Sequence, residues 1–117
     1  MRRELENRLI AFSGQIITLK KFIKRSFEGE HLSRQLIRSG TSAALNFGEA
    51  LGTYSRKDFI HKQSIVIKEL RETYVNLRII KNNNLCTNIN LLSIVISECD
   101  ELIRIFAKSI QTLQSKN

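Results

Sequence analysis

The sequence predicts an all-α protein, an up-down-up-down antiparallel four-helix bundle. Three observations predict it. Apolar residues recur in alternating steps of four and three along separate stretches, the spacing of one face of a helix. Short interruptions rich in Gly, Ser or Asn divide the chain into four such stretches, and short connections make consecutive helices antiparallel neighbours. The 117 residues contain no Pro and only five Gly, too few turn-formers for an all-β sandwich of this length.

Helix one is expected from about Arg3 to Ser26. Its seam is Leu5, Leu9, Phe12, Ile16, Leu19 and Ile23, widened by Ile10, Ile17 and Phe22. Gly29 follows closely enough to end the helix or turn the chain. Helix two begins between Glu30 and Ser33 and carries Leu32, Leu36, Ala43, Phe47 and Ala50. Gly40 and Gly48 sit inside it at a cost of about 1 kcal/mol each relative to Ala, so close packing is expected to require them. Gly52 fits the position just past its end. Ser55 is the expected N-cap of helix three, with Asp58 reaching back as in a capping box. Phe59, Val66, Leu70 and Leu77 form the main stripe of that helix, with Ile60, Ile67 and Tyr74 beside it. Asn82-Asn83-Asn84 is a polar stop, since Asn tolerates the left-handed backbone of helix ends. In the fourth stretch Leu85, Ile89, Leu92, Ile96, Cys99, Ile103, Phe106, Ile110 and Leu113 keep the alternation, with Asn88 as N-cap. Residues Ser115 to Asn117 are expected to fray. Ile17, Ile60, Ile67, Ile94 and Ile105 exceed what one slender bundle must bury, so a second apolar surface and a homo-oligomer are expected.

Length and composition fit one domain over residues 1–117, with 42% apolar and 26% charged residues. No apolar run approaches the roughly 20 residues of a membrane span. Met1-Arg2-Arg3-Glu4 opens an amphipathic stretch rather than a secretory leader, so a cytoplasmic protein without membrane contact is expected. Cys86 and Cys99 lack the spacing and companion ligands of a zinc site and are expected as free thiols.

The net charge is +8, from 19 Lys and Arg against 11 Asp and Glu. A small protein so basic is drawn to polyanions. The charge is concentrated in residues 1–27, net +5, and 54–84, net +4. In an up-down bundle the end of helix one, the start of helix two and the end of helix three share a pole. Lys20, Lys21, Lys24, Arg25, Arg34, Arg78 and Lys81 are therefore expected to gather there, with Arg38 one turn beyond Arg34, as a nucleic-acid-binding surface. Lys and Arg at helix C-termini also complement the helix dipole, but that does not require so many. Most aromatics fall on core faces, leaving Tyr54, in a turn, as the exposed candidate for base stacking.

Enzymatic readings are weak. Glu28 and His31, and Asp58 and His61, have the E-x-x-H type of spacing. A bundle di-metal site needs two such pairs at mid-helix plus two further carboxylates, whereas these sit in a turn and in a first helical turn. No nucleophile constellation, phosphate loop or dinucleotide fingerprint is present. No catalytic residue, metal ligand or cofactor is assigned.

One ordered string adds to the helix pattern: Gly40-Thr41-Ser42, Asn46, Glu49-Ala50, Ser55 to Lys62, Lys68-Glu69 and Glu72-Thr73. It resembles the four-helix bundle family that includes proteins encoded in 23S rRNA intervening sequences and the accessory variability proteins of diversity-generating retroelements. The resemblance runs from about Leu32 to Leu85 and resumes at Asp100-Glu101-Leu102-Ile103. It implies the same bundle, assembly into a ring-shaped homopentamer and, for the retroelement members, nucleic-acid binding beside a reverse transcriptase. An alternative reading follows from it: a module that docks an acidic protein such as a reverse transcriptase without binding nucleic acid itself. The resemblance marks Asn46, Glu49, Ser55, Asp58, Glu69 and Glu72 as family-motif polar residues. Asn46 and Glu49 are either a polar site or a buried network that fixes helix register, with Arg38, Lys68 or Arg71 as partner. Glu69 and Glu72 are expected to pair with Lys62, Lys68 or Arg71. The sequence departs from the family at Asn76, where an aromatic, frequently Trp, is common, and at Leu45, which is bulkier than its small neighbours.

Overall fold

The computed structural model describes residues 2–115. Among them are four helices: α1 (Arg2–Lys20), α2 (Phe27–Leu51), α3 (Arg56–Asn82) and α4 (Ile89–Gln114). Each packs on its sequence neighbours, and α4 closes the bundle against α1, giving the up-down-up-down arrangement in a rod of 49 × 20 × 20 Å. The α2–α3 pair packs most extensively and α1–α4 least.

The predicted seams of α1 and α3 are core, except that Leu5 is half-buried and Ile23 lies past the end of α1. Leu9, Phe12, Ile16 and Leu19 of α1 are fully buried, as are Val66, Leu70 and Leu77 of α3. Phe47 joins three helices, with its ring edge-on to Phe59 at 6.4 Å and to Phe106 at 5.1 Å between centroids. In α4 the buried line is Leu92, Val95, Cys99, Leu102 and Phe106. Ile96 and Ile103, expected in that line, flank it half-buried, and Ile89 is exposed. A heptad pattern read as four-then-three or three-then-four differs by a fraction of a turn, and packing against α1 and α3 selects the second. Burial pushes the Cys99 thiol up to about 12, helped by Asp100 and Glu98.

Two helix boundaries differ from expectation. The first helix stops at Lys20, not Ser26, and the second starts at Phe27, before Glu30. No local signal ends α1: its chain tightens through i to i−3 bonds from Lys21, Phe22 and Ile23 and then runs extended. Ile23 bridges antiparallel to Cys86 and is buried, so a tertiary contact overrides helix propensity there. Ser26 is the N-cap of α2, its Oγ accepting the Gly29 N–H at 3.1 Å. Ser55 caps α3 by accepting the Asp58 N–H at 3.0 Å, and Asn88 caps α4 by accepting the Leu91 N–H at 3.0 Å, both as expected. After α3, Asn84 is left-handed at φ 53°, and the Leu85 N–H bonds the Ile80 carbonyl while Asn84 bonds Lys81, a Schellman closure. Gly52 ends α2 at φ −90°, a conformation open to any residue. Ser115 caps α4, and the remainder of the segment expected to fray, Lys116 and Asn117, lies outside the described residues.

Candidate nucleic-acid interface

The turns after α1 and α3 lie side by side at one pole of the rod. They are stitched by the Ile23–Cys86 bridge and by two backbone bonds, Lys24 N–H to Leu85 O and Thr87 N–H to Phe22 O, each 2.8 Å. This pairing joins the basic end of α1 to the basic end of α3. Lys20, Lys21, Lys24 and Arg25 fall on one side of it and Lys81 on the other, with Lys21, Lys24, Arg25 and Lys81 exposed. Arg78 lies one turn inside the end of α3, with its guanidinium 5.6 Å from the Tyr74 ring centre. Arg34 is exposed about 10 Å along α2 from its start. The acidic residues of these turns and first helical turns are Glu28 and Glu30, and Glu30 stands 4.0 Å from Lys20. The cluster keeps a strong positive excess, and its long, exposed side chains suit mobile phosphate contacts.

Arg38 does not join that cluster. It points across to α3, where its Nη1 donates to Glu69 at 3.2 Å, its Nη2 pairs with Glu72, and its Nε donates to Gln35 at 3.3 Å. Glu69 is buried beside a hydroxyl pair, Ser39 and Thr73, 2.7 Å apart. The partner of Glu69 and Glu72 is therefore Arg38 of α2, not Lys62, Lys68 or Arg71. Asn46 is half-buried and donates to the carbonyl and hydroxyl of Ser42, one turn back on its own helix, both at 2.9 Å. Glu49 is exposed and pairs with Lys62 at 2.5 Å. These two residues form no common buried network. The register-fixing contacts are instead Arg38 with its two carboxylates across α2–α3, and Arg8, whose guanidinium meets Glu98 through two 2.8 Å bonds across α1–α4. The Glu98 and Glu101 carboxylates hold the Arg8 guanidinium above its ordinary range, against the opposing effect of burial.

Tyr54 is fully exposed in the α2–α3 turn, at the pole opposite the cluster, near Arg56 and Lys57. An exposed aromatic that does stand among the cluster is Phe27, 84% exposed as the first residue of α2. Sequence reasoning missed it because the extended first helix left Phe27 inside a turn. The signal was Ser26, whose capping position fixes Phe27 as the residue that begins a helix without a partner turn before it. His31 and His61 are exposed, and the described residues hold no group of three His, Cys, Asp or Glu placed to share a metal ion. Among them, no helix is long and apolar enough to cross a membrane.

The model of the 23S rRNA-intervening sequence proteins matches residues 4–108. A crystal structure from Bacteroides thetaiotaomicron, of a protein of unknown function from the S23 ribosomal protein family, has the same fold. It superposes with a TM-score of 0.83 at 28% identity, covering 95% of this chain and 99% of that one. No curated protein matches the chain.

Proposed function

Because the chain belongs to the 23S rRNA-intervening sequence protein family, we propose that it is a non-enzymatic, homo-oligomeric cytoplasmic protein that binds nucleic acid at its basic pole. The single observation that carries this reading is the paired turn. The Ile23–Cys86 bridge holds the basic ends of two helices together, giving one dense positive surface where unpaired loops would give two diffuse ones. Capture is electrostatic: Lys20, Lys21, Lys24, Arg25, Arg34, Arg78 and Lys81 neutralise phosphates and release counterions. Phe27 adds a face on which an unpaired base can stack, a contribution of about 1–3 kcal/mol per base in single-strand binders.

The test is fluorescence anisotropy with a labelled structured RNA across about 50 to 200 mM salt, with duplex and single-stranded DNA as competitors. Replacing Lys20, Lys21, Lys24 and Arg25 by Gln is expected to weaken binding. It should also flatten the plot of log affinity against log salt by roughly one unit for each phosphate no longer neutralised. Phe27→Ala is expected to weaken binding to unpaired strands while leaving the salt slope unchanged. Undiminished binding by the Lys/Arg-to-Gln variant would move the site away from this pole.

Homo-oligomer formation is supported by α1. Ile10 and Ile17, 56% and 53% exposed, lie two turns apart on the side facing away from the core, with the open surface of Gly14 between them.

A further inference from the structure

We infer that the outer groove between α2 and α3 is a docking site for an acidic amphipathic helix of another protein. The groove has a volume of about 710 Å³ and is open along its length. Its inner wall is the outward side of α3, where Ser64, Lys68, Arg71, Val75 and Ile79 recur at steps of three and four with Ile67 beside them. That spacing is the one by which α3 packs inward, so this helix carries two lines suited to a helical neighbour, and the bundle occupies one. From Ser64 to Ile79 the line extends about 22 Å, the length of a helix of roughly 15 residues. Val75 and Ile79 are 53% and 42% exposed, and half-buried Leu32 of α2 faces them across the groove.

Charge selects the occupant. Lys68 and Arg71 stand at the middle of the line, both exposed, and neither makes an ion pair among the described residues. The groove's carboxylate, Glu72, is already engaged by Arg38. A helix entering with apolar residues over Val75 and Ile79 would therefore bring carboxylates on its flank to two unpaired cations, the helix-in-groove mode of recognition. At the floor, Asn76 donates to the Leu32 carbonyl at 3.0 Å, and its buried amide oxygen has no hydrogen-bond partner. A second copy of this chain fits less well by its longest exposed apolar line, Ile10 to Ile17, because Arg3 and Lys21 extend that line. This site runs along the side of the rod, adjoins the basic pole at its Ile79 end, and shares no residue with the basic cluster.

The experiment uses the full chain and three fluorescein-labelled 16-residue peptides. Each carries Leu at positions i, i+4, i+7 and i+11 with Glu flanking on different sides, and each has a counterpart with Lys for Glu. At least one Glu peptide is expected to bind with an anisotropy change that its Lys counterpart lacks. Lys68→Glu with Arg71→Glu, both at exposed positions, is expected to weaken that peptide about tenfold or more, as reversal of paired charges does. Circular dichroism of this variant is expected to match that of the parent, the sign that it stays folded. The variant with Gln at Lys20, Lys21, Lys24 and Arg25 is expected to bind the peptide as the parent does, so failure here is distinct from failure at the pole. The inference is overturned if no Glu peptide binds or if binding ignores the groove substitutions. It is overturned equally if sedimentation shows that Lys68→Glu with Arg71→Glu splits an oligomer, since a second copy would then occupy the groove.

Discussion

Arg38 illustrates how a single side chain changes meaning once its neighbours are known. Its charge counts toward the protein's positive excess, yet it is bound by Glu69 and Glu72 of the adjoining helix. Glu69 is the consequential partner, since its side chain is 7% exposed and that of Glu72 44%. Arg38→Ala leaves a buried carboxylate without its cation, and a loss of about 1–3 kcal/mol is expected. Glu72→Gln removes only a half-exposed pair and is expected to change stability by less than about 1 kcal/mol. Urea unfolding midpoints of the two variants check the order, and equal losses would mean that Glu69 does not depend on Arg38. Neither change is expected to alter nucleic-acid affinity more than twofold or so, because the Arg38 charge is already neutralised. The sequence singled out Arg38 by its charge and Glu69 and Glu72 through the family resemblance but could not pair them, because that pairing depends on which faces of α2 and α3 meet. For the same reason Asn46 and Glu49, three apart on one helix, read as one polar site or network and instead have separate partners, Ser42 and Lys62.

The elements show where local rules suffice. Caps at Ser55 and Asn88 and the Asn stop after α3 act over three or four residues and were readable from the sequence. The end of α1 was not, because a buried bridge to a turn 63 positions away imposes it. Glycines separate the same two situations. An added Cβ at Gly29 would lie 1.8 Å from the Lys24 carbonyl oxygen, where the chain folds back under the cap. At Gly40 it would meet Ile16 Cγ1 at 3.0 Å, while at Gly48 the nearest atom is Glu6 Oε2 at 3.6 Å. Close packing thus requires Gly40, as the sequence suggested, and does not require Gly48. Thermal unfolding of the three Ala variants is expected to rank them. Gly29→Ala is the most damaging, Gly40→Ala costs about 1–3 kcal/mol through overpacking, and Gly48→Ala is neutral or stabilising by up to about 1 kcal/mol. A destabilised Gly48→Ala would show that this site needs more than helix propensity.

On the scale of the molecule, the basic pole and the exposed apolar line of α1 are segregated, and the segregation sets what an assembly can do. The basic pole is an end of the rod, whereas Ile10, Gly14 and Ile17 are on its side. Lateral association through α1 would therefore leave the poles free and bring several together, so that one nucleic acid could meet several clusters at once. Binding would then strengthen through effective concentration without any new contact. Sedimentation of the parent chain is expected to give a multiple of 13.5 kDa. Ile10→Asp with Ile17→Asp places two carboxylates on this exposed line without disturbing the core. That variant is expected to sediment as a folded 13.5 kDa monomer. On a long RNA the monomer should bind at least about tenfold more weakly, with a shallower salt slope, because one pole meets fewer phosphates than several. On an RNA short enough to meet a single pole, parent and monomer should bind alike. A parent that already sediments at 13.5 kDa would remove the assembly and leave the single pole to account for all binding. A monomeric variant that keeps the parent's affinity and slope on long RNA would show that assembly through α1 contributes nothing to capture.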